Sequence, residues 1–245
     1  MRGESLKLKH VQALVENWKR QPTVSDATIE NRLAALRWWA EKVGKTNIIP
    51  KHNIELGIGR RRAGESAPNK AKTLSGANLR RIRCPCIRTS LKLQAVFGLR
   101  REEAMKIQPG WAGQGDRIAL RGSWCKGGRP REIPIRNDRQ RAILEEAKRL
   151  SASGSLIPAR KSYRDHLAAW KSATKDAGIS RTHGLRHQYA QTRYRELTGS
   201  ICPAAGGKPI REMNDRGRVA DRLAREQIAR EPGHDRTAIV QVYCG

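Results

Sequence analysis

Six side chains in the carboxyl-terminal part of this 245-residue chain are of the types that phosphoryl transfer uses: Arg100, Lys126, His183, Arg186, His234 and Tyr243. Without a metal ion, that chemistry needs cations to absorb charge on the non-bridging oxygens. It also needs a nucleophile, and acids or bases for the protons on the attacking and leaving oxygens. Arg100 lies in Gly98-Leu99-Arg100-Arg101-Glu102-Glu103, which closes an apolar run of Leu93, Val96 and Phe97. Arg186 lies in His183-Gly184-Leu185-Arg186-His187, at the expected start of a helix. There, residues three apart share a face and free N–H groups already favour an anion. Gly233-His234 follows, and Tyr243 comes nine residues after His234. Singly these are weak signals, because many arginines are merely solvated and a histidine near a helix start is usually a cap or a core filler.

Their order carries more. The chain reads G-L-R-x-x-E, a lysine before Gly-Gly, H-x-L-R-H, G-H and a tyrosine near the end. That series resembles the catalytic signature of the tyrosine recombinases, the phage integrase family. The resemblance covers residues 73–245 by motif, and the module before it is similar to the family's core-binding, SAM-like domain by position and pattern. It implies that Arg100 and Arg186 clamp a scissile phosphate through bidentate hydrogen bonds that lysine could not imitate. Glu103 would orient Arg100. Lys126, in Trp124-Cys125-Lys126-Gly127-Gly128, matches the family's mobile lysine and would protonate the leaving 5′ oxygen. His183 would act as general base or hold the phosphate, and His234 would donate to a non-bridging oxygen. Tyr243 would form a 3′-phosphotyrosyl bond that stores the energy of the broken linkage, so that no ATP, cofactor or metal is called for. Double-stranded DNA would be the partner, with a tetramer of the chain assembled on two duplexes and accessory DNA-bending proteins allowed. His187 reads as a packed histidine beside the site, and Tyr189, Tyr194 and Trp170 as core. Pro232 stands where the family usually has an apolar residue, and the 48-residue gap from Arg186 to His234 is long for the family. A type IB topoisomerase would use a closely similar residue set, and a non-catalytic basic DNA- or RNA-binding protein would share the charge.

Two modules must position these groups. Val11, Leu14, Val15 and Trp18, then Ile29, Leu33, Leu36, Ala40 and Val43, recur at helical spacing on either side of Pro22, with Ser25 as a plausible N-cap. Arg32, Arg37, Glu41, Lys42 and Lys45 form the opposite, solvated face. Residues 1–58 therefore read as a helical DNA-binding module and 59–72, rich in Gly, Pro, Ser and cations, as a linker. Within 73–245 the pattern predicts helices over 75–82, 88–106, 137–150, 161–177, 184–197 and 218–230. Ile118/Leu120 and Ile133/Ile135 alternate as short strands around a Gly127-Gly128 hairpin turn. Pro134 has no N–H to donate, which puts the returning strand at a sheet edge. Residues 199–217 break the helical run and read as a surface insertion. The expected fold is mainly α with a small antiparallel β-sheet: a helical core-binding domain and an α+β catalytic domain closing as a C-shaped clamp.

Composition sets the partner class. Lys plus Arg number 50 against 23 Asp plus Glu, a formal charge of +27, and a dispersed positive field of that size is best neutralised by a phosphate array. Ribosomal, histone-like and anionic-membrane proteins meet the same condition, so charge alone selects no activity. No stretch approaches the roughly 18 apolar residues of a spanning helix, and the amino-terminal residues lack the apolar core of a signal peptide. A cytoplasmic protein is expected. Five cysteines at irregular spacing, including Cys84-Pro85-Cys86, read as reduced thiols without a metal.

Overall fold

A computed structural model describes residues 6–59, 68–231, 233 and 240–245. The chain divides into two compact units, Met1–Glu65 and Ser66–Gly245. In the first, α1 (Leu8–Lys19) and α2 (Asp26–Lys42) bury the apolar stripe that their spacing predicts: Val11, Val15, Ile29, Leu33 and Ala40 pack with Ile49, Leu56 and Ile58. The Ser25 hydroxyl accepts from the Thr28 N–H and starts α2. Two residues depart from expectation. Val43 ends the helix and is exposed, while Arg37, read as part of a solvated face, ties α2 to the following turns. Its Nη2 donates to the Pro50 carbonyl at 2.7 Å and to Asn53 Oδ1 at 2.7 Å.

The second unit is mainly helical around a three-stranded antiparallel sheet. Its helices are α3 (Gly76–Arg81), α4 (Pro85–Phe97), α5 (Arg101–Lys106), α6 (Pro109–Ala112), α7 (Asp138–Ser151), α8 (Tyr163–Asp176), α9 (Gly184–Thr198), α10 (Asp215–Arg230) and α11 (Gln241–Cys244). The strands are β1 (Gly113–Gln114), β2 (Arg117–Leu120) and β3 (Arg131–Pro134), in spatial order β1-β2-β3. Ile118 faces Ile133 and Leu120 faces Arg131, and Pro134 lies on the edge strand opposite Arg117. Leu93, Phe97, Ile118, Leu120, Ile133 and Leu144 share one core beneath the sheet. Among the described residues, no helix is long and apolar enough to cross a membrane.

Three expectations need correction. The helix expected over 88–106 is two: Gly98, at φ +62°, turns the chain between α4 and α5. A side chain there is barred twice, because its Cβ would fall 2.5 Å from the Tyr189 ring. The expected Gly127-Gly128 turn does lie between the antiparallel β2 and β3, but as part of a longer excursion with a 3-10 turn at Gly122–Trp124 before Lys126. Residues 199–217 are not purely surface: they form 3-10 turns at Pro203–Ala205 and Ile210–Glu212, and Cys202 is buried in a cluster with Tyr243 and Cys244. All five cysteines are free thiols.

Candidate active site

Glu103 is the hub of the site. As the third residue of α5 it accepts the Arg100 backbone N–H on Oε2 at 2.7 Å, the capping bond that starts the helix. The same carboxylate takes Arg100 Nη1 on Oε1 at 2.7 Å. Arg131, from the edge strand, adds a two-pronged grip: Nη1 to Oε1 at 3.1 Å and Nη2 to Oε2 at 2.6 Å. Arg186 Nη1 lies 3.9 Å from Oε2. One fully buried carboxylate thus gathers three guanidinium groups from distant parts of the chain. Burial by itself pushes the Glu103 carboxyl up, but the hydrogen bonds and charge of Arg131 and the bonds from Arg100 prevail and hold it below the usual range.

Arg186 opens α9 and is 1% exposed, an extreme position for a cation. Its Nη1 donates to the Gly98 carbonyl at 2.8 Å and its Nε to the Tyr243 hydroxyl at 3.2 Å. The Gly98 turn therefore both brings Arg100 round to Glu103 and offers the carbonyl that fixes Arg186. Burial lowers the Arg186 guanidinium to about 10, with the Arg100 charge acting the same way and Tyr243 and Glu103 opposing, so it remains charged at neutral pH.

Tyr243, on α11, is buried, and its ring meets the edge of His187 at 4.8 Å between centroids and lies 6.3 Å from His183. His187 and His183 pack at 5.5 Å. Burial, then the charges of Arg186, Arg100 and Lys70, hold the His183 imidazole below its ordinary value, although it opens to solvent on the site's rim. Burial, followed by His183, Lys70 and Arg186, takes the His187 imidazole down to about 4, so it is neutral at physiological pH.

A cavity of about 860 Å³ adjoins this cluster, and Arg100, Lys126 and His183 line it together with Arg101, Lys171 and Arg181. Of the residues singled out by sequence, Arg100, Arg186 and Tyr243 form one linked cluster with His183 beside it. Lys126 is exposed on the wall that it shares with Arg100 and His183. His234 and Pro232 lie outside the described residues. Tyr189, Tyr194 and Trp170 are buried, and the two tyrosines also bond: Tyr194 to Asp221 Oδ1 at 2.8 Å and Tyr189 to Glu231 Oε2 at 2.5 Å.

Sequence reading missed Arg131 and Glu231 as part of the framework. Besides Glu103, Arg131 reaches Cys125 Sγ at 3.1 Å, next to Lys126, and donates from Nε to the Glu231 carbonyl at 2.9 Å. Glu231 in turn is held by Tyr189, by Arg193 Nε at 2.9 Å and by Arg136 at 3.7 Å. Arg131 therefore ties the Arg100 box, the Lys126 excursion and the end of α10 into one body. The signal for it was present: Arg131 is two residues from buried Ile133 on the same strand face.

Two family models match the chain, Integrase over residues 71–192 and Phage integrase, N-terminal, over residues 2–49. No curated protein matches it. Among solved structures, a lambda integrase dimer bound to a COC′ core site is similar with a TM-score of 0.60 at 15% identity, covering 99% of this chain and 65% of that one. XerH site-specific recombinase bound to palindromic difH substrate, a post-cleavage complex, is similar with a TM-score of 0.60 at 15% identity, covering 99% and 67%. The Tn1549 transposon integrase in complex with circular intermediate DNA gives a TM-score of 0.58 at 14% identity, covering 98% and 81%. The chain spans 65% of the length of the lambda integrase chain. At these identities the structural likenesses speak for the fold.

Proposed function

The chain belongs to the tyrosine recombinase (phage integrase) family, and from that premise we propose that it is a site-specific DNA recombinase that cleaves and rejoins strands through a 3′-phosphotyrosyl intermediate at Tyr243. The observation that carries this reading is the convergence of Arg100 and Arg186 on Glu103, with Arg186 donating to the Tyr243 hydroxyl at 3.2 Å. The Tyr243 oxygen attacks the phosphorus, and its proton passes to a base, for which His183 is the candidate. The P–O5′ bond breaks as the P–O–tyrosine bond forms, and Lys126 gives the leaving 5′ oxygen its proton. Arg100 and Arg186, with His234, hold the non-bridging oxygens while negative charge builds on them. An N–H donor aimed at the phenol oxygen is what an attacking oxyanion requires. Phosphoester bonds are conserved at every step, so the reverse reaction with a new 5′ hydroxyl reseals the strand without ATP.

The substrate of this reading is a duplex, gripped by lysines and arginines of both units, and the task is integration or excision of a mobile element by a tetramer on two duplexes. A nicked suicide duplex tests it. Loss of the short downstream fragment that carries the new 5′ hydroxyl should leave wild-type protein covalently on DNA, and paired sites should yield four-way junctions. Covalent complex without junctions would favour a topoisomerase, and binding without either product would leave only a basic DNA-binding protein.

A further inference from the structure

We propose that Gln191 is a positioning residue for the nucleophile, seated by a strap at residues 68–72 through Asn69; the inference rests on Tyr243 being that nucleophile. Gln191 lies on α9, five residues beyond Arg186, and is 8% exposed. Its Nε2 donates to the Tyr243 main-chain carbonyl at 3.0 Å and to Asn69 Oδ1 at 2.8 Å, while its Oε1 accepts from Asn69 Nδ2 at 3.3 Å. The two amides form a reciprocal pair, which fixes the orientation of the Gln191 head and so aims its remaining N–H at Tyr243.

The strap is seated independently of that pair. Asn69 Oδ1 accepts the Ala71 N–H at 3.0 Å, and the Lys72 N–H donates to the Gly184 carbonyl at 2.9 Å. The fit over the start of α9 is close: a Cβ on Gly184 would lie 2.5 Å from the Lys70 carbonyl, so any larger residue there would lift the strap. The same strap brings the Lys70 charge onto His183 and His187.

Tyr243 needs such a tether. Its helix, α11, spans Gln241–Cys244, and the Tyr243 main-chain carbonyl lies within hydrogen-bond reach of Gln191 Nε2. The Gln191 donor holds the Tyr243 carbonyl, and with it the backbone that carries the phenol. Because Arg186 and Gln191 share α9, the helix that directs a guanidinium at the phenol also holds the backbone from which the phenol projects. A small displacement of a reacting group is costly in rate, since near-attack geometry tolerates little error.

The test is single-turnover cleavage of the suicide duplex by the full chain, with DNA affinity measured in a Tyr243→Phe background. Gln191→Leu and the isosteric Gln191→Glu, which lacks both donors, should slow covalent-complex formation about tenfold or more, the scale of one hydrogen bond. Asn69→Ala, on the exposed strap, should slow it about threefold to tenfold, and the double variant Asn69→Ala with Gln191→Leu should be no slower than Gln191→Leu alone. DNA affinity should stay within about twofold, because the latch orients the nucleophile and touches no phosphate. Unchanged cleavage in Gln191→Glu and Asn69→Ala overturns the proposal, as does a loss of affinity or thermal midpoint that tracks the loss of rate. If wild type forms no covalent complex while binding DNA, the parent reading and this inference fall together; if wild type does and the variants match it, only the inference falls.

Discussion

Arg131 offers a sharp test at the scale of single residues, because it closes a buried ionic cluster without belonging to the proposed reacting set. Arg131→Met removes both prongs from Glu103 and leaves that carboxylate under-compensated in the core. Breaking one side of a buried pair costs about 3–5 kcal/mol, and the denaturant midpoint should fall accordingly. Cleavage should slow as well, because Glu103 is what aligns Arg100. Unchanged stability would mean that the cluster contributes nothing. A second prediction concerns protons. His166 is fully buried with no partner for either ring nitrogen among the described residues, and burial, then Lys161, holds its imidazole below the ordinary value; His187 is held at about 4. Both fold as neutral groups that the unfolded chain protonates near pH 6.5. Their contribution is therefore intact above that pH and is lost as pH falls below it, for His187 down to about 4. The melting midpoint should drop from pH 7 to pH 5, and His166→Leu should flatten that slope; an equal slope in the variant would contradict the assignment.

Among the elements, the turn at Gly98 decides the geometry of the site. Gly98→Ala puts a Cβ against the Tyr189 ring and forces a left-handed backbone on alanine. A loss of about 1–3 kcal/mol is expected from strain of that kind, read as a lower thermal midpoint, with slower cleavage because the Gly98 carbonyl also holds Arg186. A midpoint unchanged from wild type would show that the turn can relax. This turn also marks where sequence stopped being legible. Residues 88–106 read as one helical period, and periodicity passes over a stop made by a single glycine: Gly98 in the left-handed region ends α4, and the Tyr189 ring from α9 leaves no room there for a side chain. The stripes of α1 and α2, the β2–β3 pairing and the edge position of Pro134 were legible because each depends on spacing within one segment. Arg100, Arg186 and Tyr243 stood out through local boxes. Arg131, Gln191 and Asn69 did not, since their partners lie 28, 52 and 122 residues away. The burial of Cys202 beneath α11 was likewise a tertiary outcome, in a segment whose glycines and prolines suggested only surface.

For the whole molecule, charge and connectivity govern behaviour. A formal charge of +27 spread over both units predicts that DNA binding weakens steeply with salt. A footprint of 6–10 phosphate contacts would lose roughly 10³–10⁵ in affinity between 50 and 200 mM salt; a nearly flat dependence in titrations would argue against a phosphate grip. The central claim is narrower, that Arg100 and Arg186 present a phosphate to the phenol of Tyr243. Its most direct test is to trap the protein on the suicide duplex, digest the adduct and identify the modified peptide by mass spectrometry. A nucleotide remnant is expected on Tyr243, joined through a 3′ phosphate, with a free 5′ hydroxyl on the released strand. An adduct on another residue, or one joined through a 5′ phosphate, would contradict it.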